Sequence, residues 1–176
     1  SELSGSPKIA NELIRPYIAD VPTSGDLDVT TLGPLIADIM PEESIVSDES
    51  ATSSLIVTPH ALQAKPHDWL ALTGGSIGQG LPLAIGASIA KPDRPVITLH
   101  GDGGAMYTVQ ALWTQARENL NITNIIFSNR SYEILKIELD RVQAVETGER
   151  AASMFSMDNP PIDWVNLAES MGVQGY

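Results

Sequence analysis

The sequence predicts an α/β fold: a doubly wound parallel sheet of about six strands, with helices on both faces. Three observations carry that prediction. Short apolar runs rich in β-branched residues occur at residues 95–99 and 124–128, the pattern of strands buried on both faces. Helical segments separate the runs, and strand–helix alternation is the mark of a parallel sheet. Glycine-rich turns follow two strands, at residues 74–80 and 101–104, where open α/β sheets carry their ligand-binding loops.

Taken in order, residues 1–28 hold little pattern. Pro16, Pro22, Ser24 and Gly25 interrupt a short helical stretch at 9–18, so this part is read as a linker or peripheral strap and residues 29–176 as the domain. Leu32, Leu35, Ile36 and Ile39 have helical spacing, closed by Pro41. Residues 44–46 and 69–72 read as short strands. A small-residue helix is expected at 81–90, a strand at 95–99, and a helix at 107–118 with Val109, Leu112, Trp113 and Ala116 on one face. Met106, Tyr107 and Trp113 are assigned to the core. Residues 124–128 form a strand buried on both faces, followed by helices at 133–139 and 164–171, the second ended by Gly172. No internal repeat or low-complexity tract is present.

A chain of 176 residues fits one domain. Its longest apolar tract, at 81–90, is broken by Pro82 and Gly86 and is too short to span a bilayer. The first eight residues lack a basic segment followed by an apolar one, so a cytoplasmic location is expected. With no cysteine, disulfides and thiolate metal sites are excluded. Ten basic against 22 acidic residues give a net charge of −12, which argues against nucleic-acid binding. A phosphorylated ligand would have to be met by backbone amides, a helix N-terminus or a metal ion.

Two strand ends supply such a site. Gly101-Asp102-Gly103-Gly104 follows one strand and Ser128-Asn129-Arg130-Ser131 follows another. If those strands are neighbours, their ends lie about 5 Å apart, and Asp102 and Asn129 can reach a common point. A carboxylate and an amide oxygen suit Mg²⁺, with the Ser131 carbonyl as a third ligand and phosphate or water completing the shell. Gly103 and Gly104 leave room for a phosphate to approach the amides of the following helix.

Gly101-Asp102-Gly103, a spacer of 24 residues, then Ser128-Asn129 resembles the thiamine-diphosphate motif, and the nearest branch is that of acetolactate synthases and benzoylformate decarboxylases. The glycine-rich loop, Ala111-Leu112-Trp113-Thr114 and Ser131-Tyr132 share the likeness, which extends from about residue 30 to the end. It implies a domain that binds thiamine diphosphate through Mg²⁺: Asp102 and Asn129 as side-chain ligands, and Ser131 through its carbonyl. Gly103 and Gly104 would face the diphosphate, with Ser50 and Thr52 near its other end and Tyr132 beside the cofactor. Gly75 would accept a hydrogen bond from the 4′-amino group, and Ile77 would wedge between the two rings. Ser128 replaces the motif's first asparagine, which is not a metal ligand, so the metal site is expected to survive.

The resemblance further implies a fragment of a 2-oxo acid decarboxylase or carboligase, acetolactate synthase-like first and benzoylformate decarboxylase-like second. The full-length form would add pyrimidine-binding and middle domains, the first carrying the catalytic glutamate. It would form a homodimer or homotetramer, and FAD would belong to the middle domain. A non-catalytic phosphate-binding module is the reading from a different class. Plainer roles stand beside the sharper ones. Asp102 suits a tight turn, the loop at 74–80 a packed strand-to-helix connection, Ile77 the core, and Asp48 with Glu49 a solvated loop, the resemblance implying a place near the diphosphate as the lesser reading for those two acids. His60, His67 and His100 are too dispersed for a zinc site.

Overall fold

The computed structural model describes residues 21, 24, 25, 27–142 and 148–176. The helical stretch expected at 9–18, and nearly all of the strap at 1–28, lie outside the described residues. Helix α1 (Val29–Ile39) is started by Asp28, whose Oδ1 accepts from the amides of Thr30 and Thr31, while the Thr31 hydroxyl accepts from the Asp28 amide. Strand β1 (Ile45–Glu49), α2 (Ser54–Ala61), β2 (Asp68–Ala71), α3 (Gly80–Ala90) and β3 (Val96–Gly101) follow. A single helical turn, α4 (Asp102–Ala105), precedes α5 (Ala111–Arg117) and β4 (Ile122–Phe127). Three short helices complete the chain: α6 (Glu133–Arg141), α7 (Glu149–Ser153) and α8 (Trp164–Ser170). No helix among the described residues is long and apolar enough to cross a membrane.

The four strands form one parallel sheet in the order β2-β1-β3-β4. The α/β class is as expected; the strand number is four among the described residues, not about six. The β-branched run Leu55-Ile56-Val57-Thr58 lies in helix α2 rather than in a strand, and after β4 the described residues turn into short helices. Connections lead outward from β1 to β2 on one side and from β3 to β4 on the other. The order therefore reverses between β1 and β3, the place where doubly wound sheets open a ligand crevice.

Alternation gives each face its own core. Val46 and Leu99 pack with Ile36, Met40 and Val57 beneath α1 and α2. On the opposite face Ile45 and Val96 pack against Ala84 of α3, and Leu81, Ala105, Ala111 and Leu112 form a second cluster with α5. Polar residues also sit on that second face: the Ser47 hydroxyl donates to the Gly80 carbonyl at 2.9 Å, and Thr98 joins Asn124 and Gln115 in a hydrogen-bonded row.

Several local expectations are corrected. The helix expected from residue 107 begins at Ala111, because Asp102–Ala105 uses its own turn before a loop intervenes. Met106, Tyr107 and Trp113 are exposed rather than core; Trp113 stacks under the Arg117 guanidinium, 4.9 Å from its ring centroid. Strand β4 is half-buried, since it lies at the edge of the described sheet. Helices α2 and α7 had no expectation.

Candidate functional site at the carboxyl ends of the strands

Strand β1 ends in Asp48-Glu49, and β3 ends at Gly101 with Asp102 opening α4. The register pairs Glu49 with His100 and Gly101 with Phe127, which brings Asp102 beside the loop after β4. A cavity of about 400 Å³ opens over these ends.

Asp102 is 3% exposed. Its Oδ1 accepts from the Gly103 amide at 2.8 Å, and its Oδ2 accepts from the Arg130 amide at 2.7 Å and the Ser128 hydroxyl at 3.5 Å. The carboxylate thus ties the two loops together, and the proximity expected of Asp102 and Asn129 is present. Asn129 turns its Oδ1 onto the Ser131 amide at 2.9 Å. Arg130 between them has φ 55°, a left-handed conformation uncommon for a side-chain-bearing residue. The segment is held from outside by Tyr132 N–H to Phe155 O, at 2.9 Å, and Met157 N–H to Arg130 O, at 2.8 Å. In that bridge pattern the amide and carbonyl of Ser131 point away from Ser156.

Asp102, Asn129, Ser131, Gly103, Gly104, Tyr132, Ser50, Thr52 and Ile77 all line the one cavity. Gly75 does not; it stands exposed in the loop, with φ 69°. Two expected roles change in detail. A Cβ on Gly103 would meet the Tyr132 ring at 2.7 Å, so this glycine makes room for an aromatic side chain as well as offering backbone to the cavity. The Ser50 hydroxyl is turned inward and donates to Asp48 Oδ1 at 2.7 Å. Ile77, weighed as a core residue, is 57% exposed at the cavity rim.

Asp48 and Glu49 are not a solvated loop. Asp48 is buried and gathers the Ser50 amide and the hydroxyls of Ser50 and Ser54, shaping the turn from β1 into α2. Glu49 is 5% exposed. Its Oε1 accepts from the Gly78 amide and its Oε2 from the Gly80 amide at 2.6 Å, with His100 Nε2 3.0 Å from Oε2. Burial pushes its carboxyl up; His100 and the two amides outweigh that and hold it below the usual glutamate value. Sequence reasoning put both acids in a solvated loop first and gave them a place near the diphosphate only as the lesser reading. The available signal was their position at the end of a buried central strand, where a solvated loop has no place.

The cavity carries Asp102, Glu49 and Glu133, and no lysine or arginine lines it. Among the described residues no cluster of three or more His, Cys, Asp or Glu side chains could hold a metal. A cation here would draw on Asp102 together with amide and carbonyl oxygens, a donor set suited to a hard divalent ion. The lining also includes apolar side chains, among them Leu72, Ile77, Tyr107, Leu135 and Met154.

The family described as "Thiamine pyrophosphate enzyme, C-terminal TPP binding domain" matches residues 51–176. The chain is 47% identical over 151 residues to IlvX of Mycobacterium tuberculosis, a protein provisionally named as an acetolactate synthase large subunit; the match covers 85% of this chain and 29% of IlvX. It is 28% identical to benzoylformate decarboxylase of Pseudomonas aeruginosa, over 85% of this chain and 27% of that protein. A solved structure, the thiamine diphosphate-dependent 4-hydroxybenzoylformate decarboxylase of Rhodococcus jostii RHA1, superposes with a TM-score of 0.71 at 32% identity, over 88% of this chain and 28% of that one. The chain thus spans under a third of the length of each of these proteins. With the matched segment covering most of the chain and both strand-end loops, the chain belongs to the family of C-terminal TPP-binding domains of thiamine pyrophosphate enzymes.

Proposed function

We propose that this chain holds the diphosphate of thiamine diphosphate, through Mg²⁺, as part of an enzyme that decarboxylates 2-oxo acids and joins the product to a second carbonyl compound, as acetolactate synthases do. The observation that carries this reading is the buried Asp102 beside Asn129 and Ser131, in a cavity at the strand-order reversal whose lining includes no basic side chain. A diphosphate cannot be accommodated beside three carboxylates without a cation, and these oxygens are the means of holding one. Asp102 and Asn129 would bind the metal by their side chains and Ser131 by its carbonyl. Gly103 and Gly104 would present backbone to the diphosphate, with Thr52 on its far side and Tyr132 along the wall. Thiamine diphosphate, when bound, supplies carbanion stabilisation at the carbonyl carbon of a 2-oxo acid.

Ile77 is assigned the place against the cofactor's rings, supported by its exposed apolar side chain at the cavity rim. Gly75 is assigned the contact to the 4′-amino group; it reaches the cavity only if the loop closes over the ligand. A second reading, decarboxylation without carboligation on an aromatic 2-oxo acid, is favoured by the apolar lining of Leu72, Tyr107, Leu135 and Met154.

A thermal-shift titration tests the assignment. Thiamine diphosphate with Mg²⁺ should raise the melting temperature, since a ligand at about 100 times its Kd stabilises by roughly 2.7 kcal/mol. EDTA should abolish the shift. An equal shift from ATP with Mg²⁺ would replace this function with general phosphate binding.

A further inference from the structure

The glycine-rich loop before α3 carries an exposed apolar residue, Ile77, between left-handed glycines at Gly75 (φ 69°) and Gly78 (φ 90°). Such a backbone has a wide choice of conformations, and Ile77 itself makes no core contact that would select one. Two turns tie the loop to itself, Ser76 N–H to Thr73 O at 3.2 Å and Gln79 N–H to Ser76 O at 3.1 Å, and the two peptide groups flanking Gly78 tie it to the rest of the fold. The Gly78 amide donates to Glu49 Oε1 from below, and the Gly78 carbonyl accepts from the Thr108 hydroxyl at 2.8 Å. Gly80, two residues on, donates to the other oxygen of the same carboxylate at 2.6 Å.

The carboxylate is fixed in turn. His100 is fully buried on the neighbouring strand, in register with Glu49, with Nε2 3.0 Å from Oε2 and Nδ1 3.1 Å from the Gly101 carbonyl. One chain of contacts therefore runs from the loop before α3, through Glu49 and His100, to the backbone immediately before Asp102. A glutamine at position 49 could not accept from two amides with both of its terminal atoms, because one of them is an NH₂ donor.

We propose that Glu49 and Thr108 are positioning residues, a two-sided anchor on Gly78 that fixes Ile77 in the cofactor cavity, with His100 holding the Glu49 carboxylate in place. The inference rests on the thiamine-diphosphate reading of the cavity and goes beyond it. It assigns the ring end of the site to residues outside the diphosphate loops, and predicts that the two ends can be uncoupled.

Two probes separate the ends: inorganic pyrophosphate with Mg²⁺ reports the Asp102 end alone, and thiamine diphosphate with Mg²⁺ reports both. Calorimetry on the 176-residue chain should show a preference for thiamine diphosphate in the wild type. T108V should lower that preference by up to about tenfold, the scale of one hydrogen bond, and E49Q by about tenfold or more. Pyrophosphate affinity should stay unchanged in both variants, which general destabilisation would not achieve. T108S, which keeps the hydroxyl, should restore the preference. Without any ligand, the Gly78 amide should exchange with solvent faster in T108V and E49Q than in the wild type. T108V leaves the buried pair intact and decides the matter if E49Q does not fold. A preference and a Gly78 exchange rate that survive T108V overturn the anchor alone. A wild-type chain that binds both probes equally overturns the cofactor reading, and the anchor with it.

Discussion

Asp102 ties the two strand-end loops together, and in the proposed function it holds the metal as well. Its two oxygens accept from Gly103 and Arg130, one amide on each loop. Asp102→Asn keeps the shape but turns an NH₂ group towards one of those amides. Leaving a buried donor unsatisfied costs roughly 1–3 kcal/mol, so the variant should unfold at lower denaturant concentration and, in folded protein, lose Mg²⁺-dependent binding of thiamine diphosphate. Unchanged affinity by calorimetry would remove Asp102 from the metal site. Glu49 predicts a pH effect of definite sign. Its folded pKa lies below the ordinary 4.5, so its contribution is present above 4.5 and disappears as pH falls through the lower folded value. The helix caps Asp28 and Asp163 are also held low, by hydrogen bonds chiefly from the Thr30 hydroxyl and the Asn166 amide respectively, and weaken in the same direction. Denaturation midpoints followed from neutral pH to below 4.5 should therefore fall, and fall less steeply in E49Q. Equal slopes would mean that Glu49 does not gain its ionised state from folding.

At the scale of elements, α3 gives an internal comparison between two of its own glycines. A Cβ on Gly80 would stand 2.8 Å from His100 Cδ2 and 3.1 Å from Glu49 Cβ, both buried in the anchor. Gly86, further along the exposed side, has nothing within 4 Å. Gly80→Ala should destabilise by about 1–3 kcal/mol through overpacking, whereas Gly86→Ala should stabilise by about 0.5–1 kcal/mol through helix propensity and reduced unfolded-state freedom. Melting curves of the two variants measure the contrast directly; a stabilised Gly80→Ala would show that the loop is not packed on the Glu49–His100 pair. The positions of β3, β4 and α3 were legible in sequence because continuous apolar runs and small-residue stretches have few other uses. The pairing that brings Asp102 near Asn129 entered the sequence reading only as a condition, since apolar runs mark strands without saying which are neighbours; the parallel register of β3 with β4 meets it. Helix α2 was not: Pro59 lies inside it, and its start depends on Asp48 gathering Ser50 and Ser54, a tertiary arrangement no local pattern encodes. The exposure of Trp113 and Tyr107 was likewise hidden, since apolar spacing marks a helix face without saying whether a neighbour covers it.

For the molecule as a whole, the described residues form one wall of the cavity and leave apolar side chains beside it open to solvent. Helix α6 has no fully buried residue, and Ile134, Leu135 and Ile137 on it are exposed together with Val142 and Met154. Three of these, Ile134, Leu135 and Met154, line the cavity, so the apolar surface is continuous with the site. Apolar surface of this kind favours a covering partner, and the relatives in Mycobacterium, Pseudomonas and Rhodococcus have more than two thirds of their length beyond the matched segment. Thiamine chemistry also needs a carboxylic acid held near the pyrimidine ring with a pKa suited to proton transfer. Glu49 is the one buried glutamate among the described residues and is unsuited to that role, because its oxygens are committed to Gly78 and Gly80 and His100 helps keep it ionised. Glu133 lies beside Ser131, accepting from its hydroxyl and from Lys136 at 3.3 Å each. The purified 176-residue chain should therefore bind thiamine diphosphate weakly and only with Mg²⁺, self-associate as concentration rises, and release no CO₂ from pyruvate or benzoylformate. Calorimetry, light scattering and a coupled decarboxylation assay on the same preparation check these in turn. Turnover by the purified chain alone would overturn this picture, whereas restoration of turnover by a separately produced pyrimidine-binding domain would place that acid outside this chain.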